Sequence, residues 1–161
     1  MDHKKGPAYN ARINAFRKAE AVSKTVKNGL VIGADTIVLL GKRLIGKPKT
    51  KAETKQLLES FSGKTILLYT GLCVINAKSK HHAQAVTISK IKVKCLDKAD
   101  INNYMKKLGP FDKAGGFSIE GVGSFIFDDI KGSFYNILGL PTTTLNSLFK
   151  KLGVALLDFV K

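Results

Sequence analysis

Tryptophan is absent from this 161-residue chain, and cysteine and proline are scarce, at 2 and 4 residues. Cys73 and Cys95 each sit inside an apolar segment. That excludes a disulfide framework, and their spacing excludes a thiolate metal site. Both are expected to be buried thiols in a reducing compartment. His3, His81 and His82 make no zinc pattern. No apolar run approaches the roughly 20 residues needed to cross a bilayer. Met1 to Asn10 is polar, without the apolar centre of a signal peptide. A cytoplasmic location and no membrane partner are the expectation.

Acidic charge is scarce too: 12 Asp and Glu face 27 Lys and Arg, a net charge of +15. Such a balance favours anionic partners, whether nucleotides, nucleic acid or acidic surfaces. Yet Arg12, Arg17 and Arg43 are the only arginines. Lysine is a solvated point charge, whereas base edges are read by the arginine fork. No basic stripe interleaves with aromatics as in single-strand binders. The pattern argues against a nucleic-acid partner and for a solvated basic surface.

What is present is a core. Hydrophobic residues make up 44% of the chain, enough for one domain over residues 1–161. The organising stretch is Leu30 to Lys49, LVIGADTIVLLGKRLIGKPK, in which a dense apolar run carries a single carboxylate, Asp35. Burying a lone carboxylate is costly unless it is paired, hydrogen-bonded or metal-bound. Asp35 therefore faces a site, has a dedicated partner, or caps a turn. The segment Gly41 to Lys47 fits the first seven positions of a phosphate-binding P-loop. Pro48 then stands where a magnesium-binding Ser or Thr is required, so a hairpin turn at Gly41-Lys42 is the better reading.

Periodicity predicts a helix over 7–27 with Ile13, Phe16, Ala19 and Val22 inward, then strands at Leu30–Leu40 and Arg43–Ile45. Thr50 and Glu53 make a capping box for a helix burying Leu57, Leu58 and Phe61. A long hairpin of Lys64–Ala77 and His82–Leu96 follows, with Lys90, Lys92 and Lys94 outward. Asp97 caps a helix carrying Ile101, Tyr104, Met105 and Leu108. Residues 111–123, FDKAGGFSIEGVG, hold four glycines and suit a loop whose backbone approaches something closely. A strand at Ser124–Ile130, a helix from Pro141 with Leu145, Leu148, Phe149 and Leu152, and a closing strand at Val154–Val160 complete an α/β domain. The sheet is expected to be mixed, with flanking helices.

Several short motifs then fall in order. They are Gly33-Ala34-Asp35-Thr36, Gly46-Lys47-Pro48, Ser62-Gly63, Tyr69-Thr70-Gly71, Asp112 to Phe117, and Asn136 to Pro141, with Lys18-Ala19 on the preceding helix. Together they resemble the Maf family over roughly residues 9–152. The resemblance implies a fold akin to inosine triphosphate pyrophosphatases, with a cleft between two lobes. It implies a nucleoside triphosphate pyrophosphatase that needs a divalent metal, Mg or Mn. It also links the family to inhibition of septum formation, and leaves a homodimer open. It makes Asp35 the catalytic carboxylate and base, and Thr36 and Glu120 positions that influence substrate choice. Lys47 and Lys113 become basic positions near the triphosphate. A carboxylate at Glu120 suits donor edges, which favours a purine or modified guanine nucleotide.

Departures from the family pattern are also visible. The Ser-x-Ser-Pro-Arg-Arg segment and the acidic residue that follows it are missing, so the domain is expected to be N-terminally short. Ile66 stands where many members carry a polar residue. The alternatives to catalysis are a Maf-like relative that binds nucleotide or protein, and a basic nucleic-acid-binding domain.

Overall fold

The structure is a computed structural model and describes residues 5–107, 114–117, 119–155 and 157. Among the described residues, five strands and five α-helices follow in this order: α1 Gly6–Ser23, β1 Leu30–Leu40, β2 Arg43–Ile45, α2 Lys51–Phe61, β3 Thr65–Asn76, β4 His82–Val93, α3 Lys98–Lys107, β5 Phe127–Lys131, α4 Phe134–Ile137 and α5 Thr142–Lys151. The sheet order is β2-β1-β3-β4-β5.

The α/β class with flanking helices is as expected, but the sheet is antiparallel rather than mixed. β1 turns back on β2 with Val38 opposite Ile45, and β4 pairs β5 with Ile91 opposite Ile130. Between β1 and β3 the partner of Gly29 is Ala77, and the partner of Thr36 is Thr70. Numbers rise along one strand and fall along the other. The β3–β4 hairpin closes with the Asn76 N–H donating to the His81 carbonyl at 2.9 Å. Parallel neighbours need a crossover of a dozen or more residues; here hairpins join β1 to β2 and β3 to β4, and α2 and α3 lie in the two longer connections.

The chain forms two compact units. One comprises Met1–Thr36, Tyr69–Ile88 and Tyr135–Lys161; the other comprises Ile37–Leu68 and Ser89–Phe134.

In the first unit the two faces of β1 and β3 carry different layers. Val31, Cys73, Ile75 and Ala77 pack with Ala15 and Ala19 of α1. Leu72 and Val74 pack with Leu145, Leu148 and Phe149 of α5, joined by Leu30 and Ala34. That is the period-2 alternation of a strand covered on both sides. The buried face of α1 is Ala11, Ala15 and Ala19, flanked by Asn10 and Ser23, whereas Val22 is half exposed. Of the expected face, Ala19 is buried and Phe16 packs partly buried against the same cluster, so the stripe is shifted toward the small residues rather than replaced. The reason lies in the sheet: a Cβ on Gly33 would strike the Ala15 carbonyl oxygen, and one on Gly71 the Ala11 carbonyl oxygen. Backbone meets backbone here, and only alanine and glycine permit it.

In the second unit Leu58, Phe61, Ile66, Leu68, Ile91 and Val93 are buried. Phe117 makes edge-to-face contacts with Phe61 and Phe127, at ring-centroid distances of 6.2 and 5.4 Å. The Thr50 hydroxyl accepts from the Glu53 N–H at 3.1 Å, as the capping box requires. Glu53 in turn accepts from the Lys49 N–H at 2.6 Å, one residue before the cap. Asp97 and Asp100 cap α3 reciprocally, at 2.7 and 3.2 Å. Cys95 is exposed rather than buried, because β4 ends at Val93 and the chain leaves the sheet before reaching it. The described part of 111–123 forms tight 3-10 turns at Ala114–Gly116 and Gly121–Ile126, so β5 begins at Phe127 rather than Ser124. Val154 and Ala155 carry no strand, and most of the expected closing strand lies outside the described residues.

Candidate active site

Asp35 lies on β1 in the first unit, two positions before the second unit begins at Ile37. Its side chain points to the α1 face, the face of Val31 and Gly33. Two residues one turn apart on α1 meet it. Lys18 Nζ donates to Oδ1 at 2.5 Å and also to the Ala34 carbonyl at 3.2 Å. Asn14 Nδ2 donates to Oδ2 at 2.9 Å. Asn14 and Lys18 are spaced i, i+4, so they project from the same side of the helix. The close approach of Ala15 and Ala19 to Gly33 sets their distance from the strand.

The Lys18 side chain is 58% exposed and the Asp35 side chain 18%. A pair this open to water contributes only about 0–1 kcal/mol to stability. The interest of the group is chemical: a carboxylate anchored at both oxygens, beside an ammonium on a long, solvated stem. Of the three expectations for Asp35, the dedicated partner is what the structure displays. Asn14 escaped sequence reasoning altogether, and Lys18 stood only as part of a motif. The legible signal was the Ala11-Ala15-Ala19 repeat in register with Gly33 and Gly71; residues beside that stripe must approach β1.

Thr36, the next residue, faces the opposite side of the sheet. Its hydroxyl lies 2.9 Å from that of Thr70, and Thr70 donates to the Asn136 carbonyl at 3.3 Å. Since Thr70 has one hydroxyl proton, Thr36 is the donor between them. The structure therefore does not bring Thr36 to Asp35. Asn136 is fully buried beneath the turn that Gly139 and Leu140 close onto Asn136 and Tyr135.

Lys47 and Glu120 belong to the second unit, and both are exposed. Lys47 lines a cavity of about 270 Å³ with Arg43, Pro48, Glu53, Gln56 and Leu57. The Gly46 carbonyl beside it accepts from the Gly115 N–H at 3.4 Å. Glu120 begins the turn over Gly121–Ile126. Lys113 lies outside the described residues. Among the described residues, no three His, Cys, Asp or Glu side chains cluster as a metal centre.

The profile of the Maf-like protein family matches residues 1–152. The chain belongs to that family. A curated relative of this Maf-like chain from Dictyoglomus thermophilum, a dTTP/UTP pyrophosphatase, is 33% identical over 154 residues, covering 96% of this chain and 80% of the relative. Another of the same name, from Desulforamulus reducens, is 39% identical over 140 residues, with coverage of 87% and 73%. A third, from Clostridioides difficile, is 37% identical over 137 residues, with coverage of 85% and 71%. The Maf-like resemblance read from the ordered motifs is thus borne out across the chain. No helix among the described residues is long and apolar enough to cross a membrane.

Proposed function

We propose that the chain hydrolyses a nucleoside triphosphate to the monophosphate and pyrophosphate, with dTTP and UTP as substrates. The observation that carries this reading is Asp35, held by Lys18 and Asn14 on the α1 face of β1. The relatives' shared name supports the activity and the pyrimidine substrates. It takes the place of the purine preference that Glu120 alone suggested.

In this reading, water attacks the α-phosphorus, the bond from that phosphorus to the bridging oxygen breaks, and pyrophosphate leaves. Asp35 takes the proton of the attacking water. Lys18 is solvated and already paired with an anion, so it suits a phosphate oxygen equally well and offsets the growing charge. Thr36 is kept as a specificity position on the family pattern alone, since it faces away from Asp35. Lys47, Lys113 and Glu120 are substrate-binding proposals on the family pattern.

The described donor set has no cluster for a resident metal, but it suits Mg or Mn arriving with the triphosphate. Magnesium commonly takes one or two carboxylates and completes its shell with phosphate oxygens and water. Here phosphate oxygens and water would hold the ion, and Asp35 would meet it through the attacking water rather than directly. Such an ion supplies charge stabilisation at the phosphoryl oxygens.

The test is pyrophosphate release from dTTP, UTP, CTP, GTP and ATP with Mg or Mn, run beside Asp35→Asn. Loss of about 10²–10⁴ in rate is expected for the variant, the usual worth of a general base. EDTA should abolish turnover. Equal rates for the two proteins would remove Asp35 from the chemistry. Preference for GTP would overturn the pyrimidine assignment. Thermal stabilisation by nucleotide without turnover would make the chain a binding relative.

A further inference from the structure

We infer that Asn14 is the positioning residue for Asp35, holding one carboxylate oxygen so that the other is presented to water. This rests on the pyrophosphatase reading and adds to it a residue that acts through the base. The two partners of the carboxylate differ in kind. Lys18 reaches Oδ1 on four rotatable bonds with more than half its side chain in solvent. It can leave for a phosphate oxygen without disturbing the backbone. Asn14 reaches Oδ2 at 2.9 Å on two rotatable bonds and is half-buried.

The helix that carries Asn14 cannot drift. Ala11 and Ala15, either side of it in sequence, lie against Gly71 and Gly33 with no room for a single added carbon. When an anionic substrate draws Lys18 away, the Asn14 amide still fixes the carboxylate plane. Oδ1 is then the oxygen left to accept a proton. An unanchored carboxylate would rotate between orientations, and poor orientation at a reacting centre costs rate.

A hydrogen bond to a charged group is worth enough that losing it here should lower kcat by about 10- to 100-fold. Asn14 touches the base rather than the substrate, so KM should change by less than about 2-fold. Asn14→Leu keeps the volume and removes the donor. Asn14→Asp keeps the shape and sets a second negative charge against Asp35, so it should be slower still. In the Asp35→Asn background, Asn14→Leu should add less than about a 2-fold loss, because a residue acting through a base has nothing to act on once the base is gone.

The experiment is steady-state pyrophosphate release from dTTP by these five proteins, with a thermal melt of each. If the wild type turns over and Asp35→Asn is slower by about 10²–10⁴, the pyrophosphatase reading stands. An unchanged kcat in Asn14→Leu, an Asn14→Asp as fast as wild type, or fully additive losses in the double variant would then overturn the role of Asn14 alone. An inactive wild type would overturn both. If Asn14→Leu fails to fold, Asn14→Ala takes its place with the same expected kcat and KM pattern.

Discussion

Adding one methyl group at Gly33 should both loosen the fold and slow the enzyme. A Cβ there would lie 2.9 Å from Ala19 N and 2.9 Å from Ala19 Cβ, and would overlap the Ala15 carbonyl oxygen. Ordinary van der Waals contact begins at 3.4 Å. The obstacles are helix backbone, which cannot swing aside as a side-chain tip can. Helix α1 must therefore move away from β1. Overpacking of this kind costs about 1–3 kcal/mol, or a fall in Tm of about 3–10 °C for a chain of this size. Asn14 and Lys18 are next to Ala15 and Ala19, so their hold on Asp35 lengthens with the shift. A displacement on the order of 1 Å at a catalytic group can cost about 10²-fold in rate. The assay is a thermal melt of Gly33→Ala beside wild type, with pyrophosphate release from dTTP at a temperature where both are folded. Gly46→Ala is the stability control, since nothing lies within 4 Å of its Cβ and its backbone angle is ordinary. A Gly33→Ala protein that melts at or above wild type would refute the reasoning. Glycine to alanine without a clash gains about 0.4–1 kcal/mol by stiffening the unfolded chain.

Thr50→Ala removes the oxygen that accepts the Glu53 N–H at the start of α2, and urea unfolding should register a loss of about 1 kcal/mol. Burial raises the Cys73 thiol from 9.0 to about 11. The unfolded chain therefore gives up this proton first, and stability present below pH 9 should decline as pH rises toward 11. Melts across pH 8 to 11 should show that decline in wild type and a flatter profile in Cys73→Ala. At pH 8 a thiol reagent should label one cysteine of the native protein, the exposed Cys95, and both after unfolding. Labelling of both in the native state would contradict the burial of Cys73.

The sequence alone carried the local decisions. The strand boundaries of β1 and β2 follow from apolar runs broken at Gly41, and the caps of α2 and α3 from Thr50, Glu53, Asp97 and Asp100. These depend on residues within a few positions of one another, so a linear reading contains them. The alternation along β4, with Ile91 and Val93 inward and lysines outward, is local in the same way. Motif order was enough for the family, and a lone carboxylate in an apolar run was enough to single out Asp35.

Tertiary structure decided what lies across the chain. Nothing within the sequence of α1 says that Ala11 and Ala15 join Ala19 as its buried face ahead of Ile13 and Val22. That follows from Gly33 and Gly71, which lie on two other strands and admit only a close backbone. The same approach selects Asn14 and Lys18 as the partners of Asp35, 21 and 17 residues away. Opposite faces for Asp35 and Thr36 follow from strand geometry once β1 is known to be covered on both sides. Adjacent residues on such a strand are parted by the thickness of the sheet, whereas residues a helix turn apart on α1 converge on one carboxylate.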